Sequence, residues 1–129
     1  MIGGAGPRVL GLTARFADVW NRDFGTVNSE LAPFSPEDLA AWRPRVDKAC
    51  AEVGRDPATL EQTAAAFVDL PIAPGRDGWD ALTGSPEALA EGLRGYARAG
   101  FTHVQLWLEP ATIAGIETFA PVLELLDGS

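Results

Sequence analysis

The sequence is poor in the side chains that most often bind metals or form covalent cross-links. Among its 129 residues there is one cysteine, Cys50, so no disulfide can form within the chain, and one histidine, His103. Nowhere do cysteine and histidine occur with the spacing of a metal site. These shortages exclude a disulfide-stabilised scaffold, and we expect no metal to be bound.

Long apolar runs and an excess of basic charge are also missing. No stretch approaches the about 18 apolar residues that a membrane helix needs. Met1 is followed by glycines, not by the basic and apolar regions of an export signal. Acidic residues outnumber basic ones 18 to 10, a net charge of −8, which repels polyanions. We therefore expect a cytoplasmic protein with neither a nucleic-acid nor a membrane partner.

Apolar residues are plentiful, at 47% of the chain, and their spacing predicts helices. Two of the helix starts are marked by the same string, Ser35-Pro36-Glu37 and Ser85-Pro86-Glu87, in which serine caps the helix and proline takes its first position. The predicted helices cover about 7–17, 36–53, 86–99 and 112–126. Pro44 and Pro121 lie inside two of them and should bend or break them.

Short strands are predicted between the helices, over 18–21, 61–70 and 101–108, with long loops at 22–35 and 71–84. This alternation is typical of parallel βαβ units. In 101–108 one side of the strand carries valine and leucines and the other carries His103, Gln105 and Trp107. A face of that mixed character favours a barrel, whose inner side can be polar, over a doubly wound sheet. We expect this strand to be central and buried.

The segment Gly3-Gly4-Ala5-Gly6 runs into a helix that begins at Pro7. Glycines let backbone amides approach a phosphate, and the positive end of the helix dipole favours its charge. Arg8 would add a cation. A plain tight turn is the alternative interpretation. The segment lacks the third glycine of a dinucleotide fingerprint and the lysine of a P-loop.

Five strings in order resemble the C-terminal half of the luciferase-like flavin-dependent monooxygenases, a family that also contains reductases using the deazaflavin coenzyme F420. They are Ile-Gly-Gly-Ala-Gly-Pro-Arg-Val-Leu at 2–10, Thr-Ala-Arg-Phe-Ala-Asp-Val-Trp-Asn at 13–21, Gly-Arg-Asp-Pro at 54–57, Gly-Ser-Pro-Glu-Ala-Leu-Ala-Glu at 84–91 and Ala-Gly-Phe-Thr-His-Val-Gln-Leu at 99–106. They are spread in order across nearly the whole chain, which we take as one domain, 1–129.

The resemblance implies an α/β fold, part of a (β/α)8 TIM barrel with about three parallel strands and flanking helices. A complete barrel needs about 200 residues or more, so the family's N-terminal half, where most of its substrate-activating residues lie, would be missing. FMN or F420 is the implied cofactor and a small organic molecule the implied substrate. Gly3, Gly4, Gly6, Arg8 and Trp20 are the implied cofactor-binding residues.

The remaining candidates leave alternatives open. Trp20 would lie with Asn21 at the ligand-binding end of the barrel, or it is a packed core residue. His103 is better explained as a hydrogen-bonded strand residue than as a catalytic one. Trp107 and Glu109 would reach the ligand-binding end, and Cys50 belongs to an apolar helix stripe. Trp79 either covers a ligand or anchors its loop. No catalytic residue is assigned.

Two functions follow. In the first, the chain is part of a flavin-dependent oxidoreductase and supplies the phosphate loop and one wall of the pocket. In the second, it is a non-catalytic half-barrel that associates with itself or with a separately encoded N-terminal half, because an open set of parallel strands exposes two edges.

Overall fold

The computed structural model describes residues 1–4, 6–24, 36–72 and 81–128, and it describes the side chains of all of these except 23–24 and 36–40. Within these ranges, strands and helices alternate from the first residues to the last. In chain order they are β1 (Ile2–Gly3), α1 (Pro7–Phe16), β2 (Val19–Phe24), α2 (Pro36–Glu52), a 3-10 turn (Pro57–Thr59), β3 (Glu61–Asp69), α3 (Pro86–Arg98), β4 (His103–Glu109) and α4 (Ile113–Asp127).

The strands form one parallel sheet in the order β1-β2-β3-β4. Each parallel connection passes through a helix, as such crossovers require, and the helices contact one another in the same order, from α1 to α4. The predicted α/β class with parallel strands is confirmed. A short fourth strand, Ile2–Gly3, is added to the three that were predicted.

The prediction that the strand near 101–108 is central and buried is wrong, since every residue of β4 is half-buried or exposed. The order of the sheet places β4 at an edge, and β2 and β3 are the inner strands. Its apolar parity was read correctly, since Leu106 packs against the core. A buried face does not reveal whether a strand has one neighbour or two, so the order could not be read from the pattern.

Two further boundaries differ from the prediction. Residues 22–24, expected in a loop, extend β2, where they pair with Ala64, Ala65 and Ala66. Helix α2 also continues past Pro44, although proline removes one backbone donor. Trp42 and Val46, on either side of it, are 3% and 1% exposed, so packing holds both turns in place.

The core lies between the sheet and the helix layer. Alternate residues of β3 point into it, and Ala64, Ala66 and Val68 are each at most 2% exposed. The small alanines allow the helices to approach the sheet closely, so a strand with weak β propensity is held by its packing. Trp20 fills the space beside them and has no exposed surface.

Arg55, which follows α2, binds the carboxyl end of α1. Its guanidinium donates to the carbonyl oxygens of Ala14 at 3.1 Å and Ala17 at 2.6 Å, at the end of α1. It also donates to the Oγ1 and the carbonyl oxygen of Thr59. The string Gly54-Arg55-Asp56-Pro57 is thereby explained structurally: the arginine satisfies the last carbonyls of α1, which have no partner within that helix.

Candidate functional site

The glycine loop follows the carboxyl end of β1. Gly3 pairs in register with Asn21 of β2, and the N–H of Gly4 donates to the Asn21 carbonyl at 3.2 Å. Gly4 has a φ of +111°, and a Cβ there would lie 3.3 Å from Cγ1 of Val9. Glycine is therefore required at position 4 by the backbone itself.

Gly6 has no comparable backbone requirement. Its φ is −64°, and a Cβ at this position would meet no atom of the described residues within 4 Å. Gly6 is the residue that precedes α1, and it lies on the surface. The space beside it is open, so a ligand can approach the backbone there.

The amino end of α1 has no side-chain cap. Gly6 makes no capping hydrogen bond, Pro7 occupies the first turn, and that turn contains no acidic residue. In α3 and α4, by contrast, Ser85 and Thr112 accept hydrogen bonds from the amides of Ala88 and Gly115. The first amides of a helix lack partners within it, so α1 offers a positive end that an anion can satisfy. Arg8 lies exposed in the same turn.

Trp20 lies near the start of its strand and not at its end, where it was predicted. The strand does not end at Asn21 but continues to Phe24, so Trp20 is its second residue and belongs to the amino end. The indole points to the helix side, where its ring centroid is 6.2 Å from those of both Trp42 and Phe101. The predicted end of the strand at Asn21 is wrong, because the short apolar pattern gave no sign of where the strand stops.

The indole of Trp20 is nevertheless connected to the glycine loop from behind. Its Nε1–H donates to the carbonyl oxygen of Gly4 at 2.7 Å. The core thus fixes one side of the loop, and Trp20 is a candidate positioning residue, while contact between Trp20 and a cofactor remains an untested prediction.

A cavity lies over β3 and β4. It measures about 280 Å³ and is lined by Ala65, Ala66, Phe67, Gln105, Leu106 and Trp107. The ring centroids of Phe67 and Trp107 are 5.8 Å apart, and Trp107 is 54% exposed. Ala65, whose side chain is small, lines the cavity beside these rings. The result is an apolar, partly aromatic wall.

Polar groups lie along the strands above and below that wall. Thr63 Oγ1 donates to Asn21 Oδ1 at 2.8 Å, at the level of Gly3. At the carboxyl ends, Asp69 and Glu109 are register partners and are half-buried. Catalytic groups of (β/α)8 barrels lie at that end of the strands, and Asp69 and Glu109 occupy the corresponding end of this sheet.

The other predicted residues are placed as follows. His103 is exposed and begins β4, at the end of the strand away from Glu109. Cys50 has no exposed surface, as expected for a core residue, and burial raises the pKa of its thiol. Trp79 falls outside the described residues.

The sequence analysis missed Ala65, Phe67 and Asp69. All three lie on the same side of β3 as Thr63, and the register pairs them with Gln105, Trp107 and Glu109. Alternation along β3 was available as a signal, but only the register shows that these residues meet Trp107 and Glu109.

Comparisons with solved structures show the same fold. An F420-dependent secondary alcohol dehydrogenase in complex with an F420–acetone adduct matches with a TM-score of 0.69 and 14% identity over 96% of this chain. The coenzyme F420-dependent tetrahydromethanopterin reductase from Methanopyrus kandleri matches with 0.61 and 13% over 93%. A long-chain alkane monooxygenase matches with 0.70 and 13% over 98%.

This chain spans 47%, 47% and 40% of those three structures, less than half of each. No model of a known protein family matches the sequence, and no curated protein matches it. At such low identity the likeness establishes the fold, an α/β half of a TIM-barrel-like architecture.

The described residues contain neither a membrane-spanning helix nor a cluster of metal ligands. No helix there is long and apolar enough to cross a membrane. Nor do three or more His, Cys, Asp or Glu side chains in those ranges come together as metal ligands.

Proposed function

We propose that this chain is part of a flavin-dependent oxidoreductase of the luciferase-like type, and that it supplies the phosphate-binding loop and one wall of the cofactor pocket. The observation that carries the proposal is the placement of Gly3 and Gly4 at the carboxyl end of a strand and of Gly6 at the start of a helix that it does not cap with a side chain. The three structures with the same fold are two F420-dependent enzymes and an alkane monooxygenase, which supports the class.

The loop has the features that a cofactor phosphate needs. Amides at the start of α1 would donate to the phosphate oxygens, and the helix dipole would favour their charge. Gly6 leaves space for the phosphate as far as the described part of the chain is concerned, since none of its atoms lies within 4 Å of the position of a Cβ there. Arg8, exposed one residue into the helix, would add a screened surface charge.

The aromatic wall fits the other end of such a cofactor. A flavin or deazaflavin ring is flat and largely apolar, and pockets for such ligands are lined by apolar and aromatic side chains. Phe67 and Trp107 supply aromatic surface, and Gln105 supplies an amide on the same side of the sheet. When bound, the ring would carry the redox chemistry, while the protein positions it.

We place the protein in the cytoplasm.

Titration distinguishes FMN from F420 as the cofactor. Each cofactor should be titrated into the 129-residue chain and followed by its fluorescence. Binding is expected to weaken about tenfold or more in Gly6→Val, equivalent to about 1.4 kcal/mol, because the added side chain occupies the phosphate space. The denaturation midpoint of Gly6→Val should stay close to wild type.

Gly11→Ala is the matched control. It also adds a Cβ to open space on the same segment, but a full turn away from the amino end of α1. The affinity of Gly11→Ala for the cofactor should equal that of wild type. The affinity of Arg8→Ala should lie between those of wild type and Gly6→Val. Equal affinities for all four proteins, or a folded wild type that binds neither cofactor, would overturn the proposal.

A second candidate function is association without catalysis. The sheet has two edges, β1 and β4, and unpaired edges of parallel strands are open to further pairing. We propose as this alternative a half-barrel that joins a second copy of itself or a separately encoded N-terminal half. The exposed apolar side chains of α1 and α4 favour it.

A further inference from the structure

Two exposed apolar surfaces lie at opposite ends of the helix layer. On α1, Leu12 and Phe16 are 47% and 74% exposed and, four residues apart, share one side of the helix. On α4, Ile116 and Leu123 are 63% and 51% exposed and, seven residues apart, also share a side. Apolar groups at this exposure, paired along a helix, mark a contact surface.

The same two helices carry opposite charges. The charged residues of α1 are Arg8 and Arg15, and both are exposed. The charged residues of α4 are Glu117, Glu124 and Asp127, which are exposed as well. Each apolar surface is thus accompanied by charge of one sign, and the two signs are complementary. The exposed surfaces of α1 and α4 are therefore complementary in charge.

The position of these helices determines how the two surfaces can meet. Helix α1 follows β1 at one edge of the sheet, and α4 follows β4 at the other edge. One molecule cannot bring its own two ends together, because β2 and β3 lie between them. A second molecule rotated by half a turn about the barrel axis can, since four parallel strands are half of eight.

We propose that two copies of this chain close into one eight-stranded barrel, with α4 of each copy packed on α1 of the other. The β4 edge of one copy would then lie along the β1 edge of its partner. Because β1 offers only Ile2–Gly3, the helix pairs and the inner faces would supply most of the buried area. Trp107 and Phe67 would be enclosed at the same time.

A closed arrangement has a defined size. Each copy uses both of its surfaces once, so the contact is satisfied at two copies and growth stops there. This proposal deepens the second candidate function, the association described above, and is independent of cofactor binding. Sedimentation without added cofactor therefore tests it separately from the flavin titration.

The experiment uses two charge-reversal variants measured by sedimentation equilibrium. Leu12→Glu/Phe16→Glu places acids on α1, opposite the acids of the partner's α4, and Ile116→Lys/Leu123→Lys places bases on α4, opposite the partner's arginines. Wild type should be a dimer at about 10 µM. Each variant alone should have a dissociation constant at least about 100-fold higher and sediment as a monomer with unchanged circular dichroism.

Mixing the two variants provides the decisive comparison. In a mixed dimer, one contact joins the new acids to the new bases, and the other joins two unaltered helices. The mixture should therefore recover a one-to-one dimer that neither variant forms alone. Ile72→Lys, a change from isoleucine to lysine at a 53% exposed position outside α1 and α4, should leave the wild-type dimer intact.

Several results would overturn the proposal. A folded wild type that stays monomeric up to about 100 µM would do so, since closure should be stronger than that. Species larger than two copies would show open pairing of edges instead of closure. A dimer that both charge-reversal variants retain, or a mixture that stays monomeric, would show that α1 and α4 do not meet.

Discussion

The two faces of β3 and β4 differ in what covers them. On the side of the helices, Ala64, Ala66 and Val68 are at most 2% exposed, and Trp20 of the neighbouring strand has no exposed surface. On the opposite side, Gln105 and Trp107 are exposed, and Phe67 is only partly covered. Helices of this chain thus cover one face of these strands, whereas the other face is partly exposed.

The contrast shows where stability and function are separated in this chain. The helix layer completes its side of the sheet with residues of this chain, and Arg55 and Trp20 extend that packing to the ends of α1 and to the glycine loop. The other side carries the cavity and the acidic pair Asp69 and Glu109. Substitutions on the two sides should therefore have different consequences.

The largest expected effect is that of Trp20→Ala. Removing a fully buried indole leaves a cavity beside Trp42 and Phe101, so the free energy of unfolding should fall by about 3–5 kcal/mol. Trp107→Ala, on the open side, should change it by less than about 1 kcal/mol at protein concentrations low enough for the chain to be monomeric. Urea denaturation of both variants measures the difference. Similar losses would show that the two faces are equally packed.

Arg55→Ala should have the next largest effect. The carbonyl oxygens of Ala14 and Ala17 lose their donor, and an unsatisfied buried acceptor costs about 1–3 kcal/mol. Arg98→Ala is the matched control, because it breaks only an ion pair with Glu91 in which both side chains are more than half exposed, worth at most about 1 kcal/mol. The free energy of unfolding of both variants is measured by urea denaturation. A loss in Arg98→Ala as large as that in Arg55→Ala would contradict the assigned role of Arg55.

Gly4→Ala and Gly6→Ala separate backbone demand from ligand space within one loop. Alanine at position 4 must adopt a φ of +111° and approach Val9, which should cost about 1–3 kcal/mol. Alanine at position 6 meets none of the atoms in residues 1–4, 6–24, 36–72 and 81–128 within 4 Å, so stability should stay unchanged. Thermal unfolding without cofactor reads the difference. A destabilised Gly6→Ala would mean that the protein itself fills that space.

The smallest expected effect concerns Cys50 and pH. Burial raises the pKa of its thiol above the usual 9.0 in the folded chain, with Asp47 adding to the shift and Arg55 and Arg43 opposing it. Above about pH 9 the unfolded chain therefore loses this proton first, and stability falls as the pH rises. Cys50→Ala should show a shallower decline in denaturation measured between neutral and alkaline pH. An identical decline would place the cause in other groups.

Much of the fold could be predicted from the sequence because it depends on local signals. Ser85 caps α3 as its string indicated, and the apolar parity of β4 correctly separated its two faces. The place of β4 at the edge and the length of β2 depend on which strands pair, and pairing leaves no local mark. The glycine loop was found because glycines and a proline-started helix are visible in sequence, whereas the neighbours of Trp107 required the register of β3.

Hydrogen–deuterium exchange with and without FMN or F420 tests most directly the claim that the glycine loop and the open face form the cofactor site. The account predicts slower exchange, at saturating cofactor, in peptides covering 2–10 and 103–109, because a bound phosphate and ring would cover those amides. Exchange in 86–98, on the helix side, should not change. Protection confined to the helix layer, or no protection anywhere at saturation, would contradict the account.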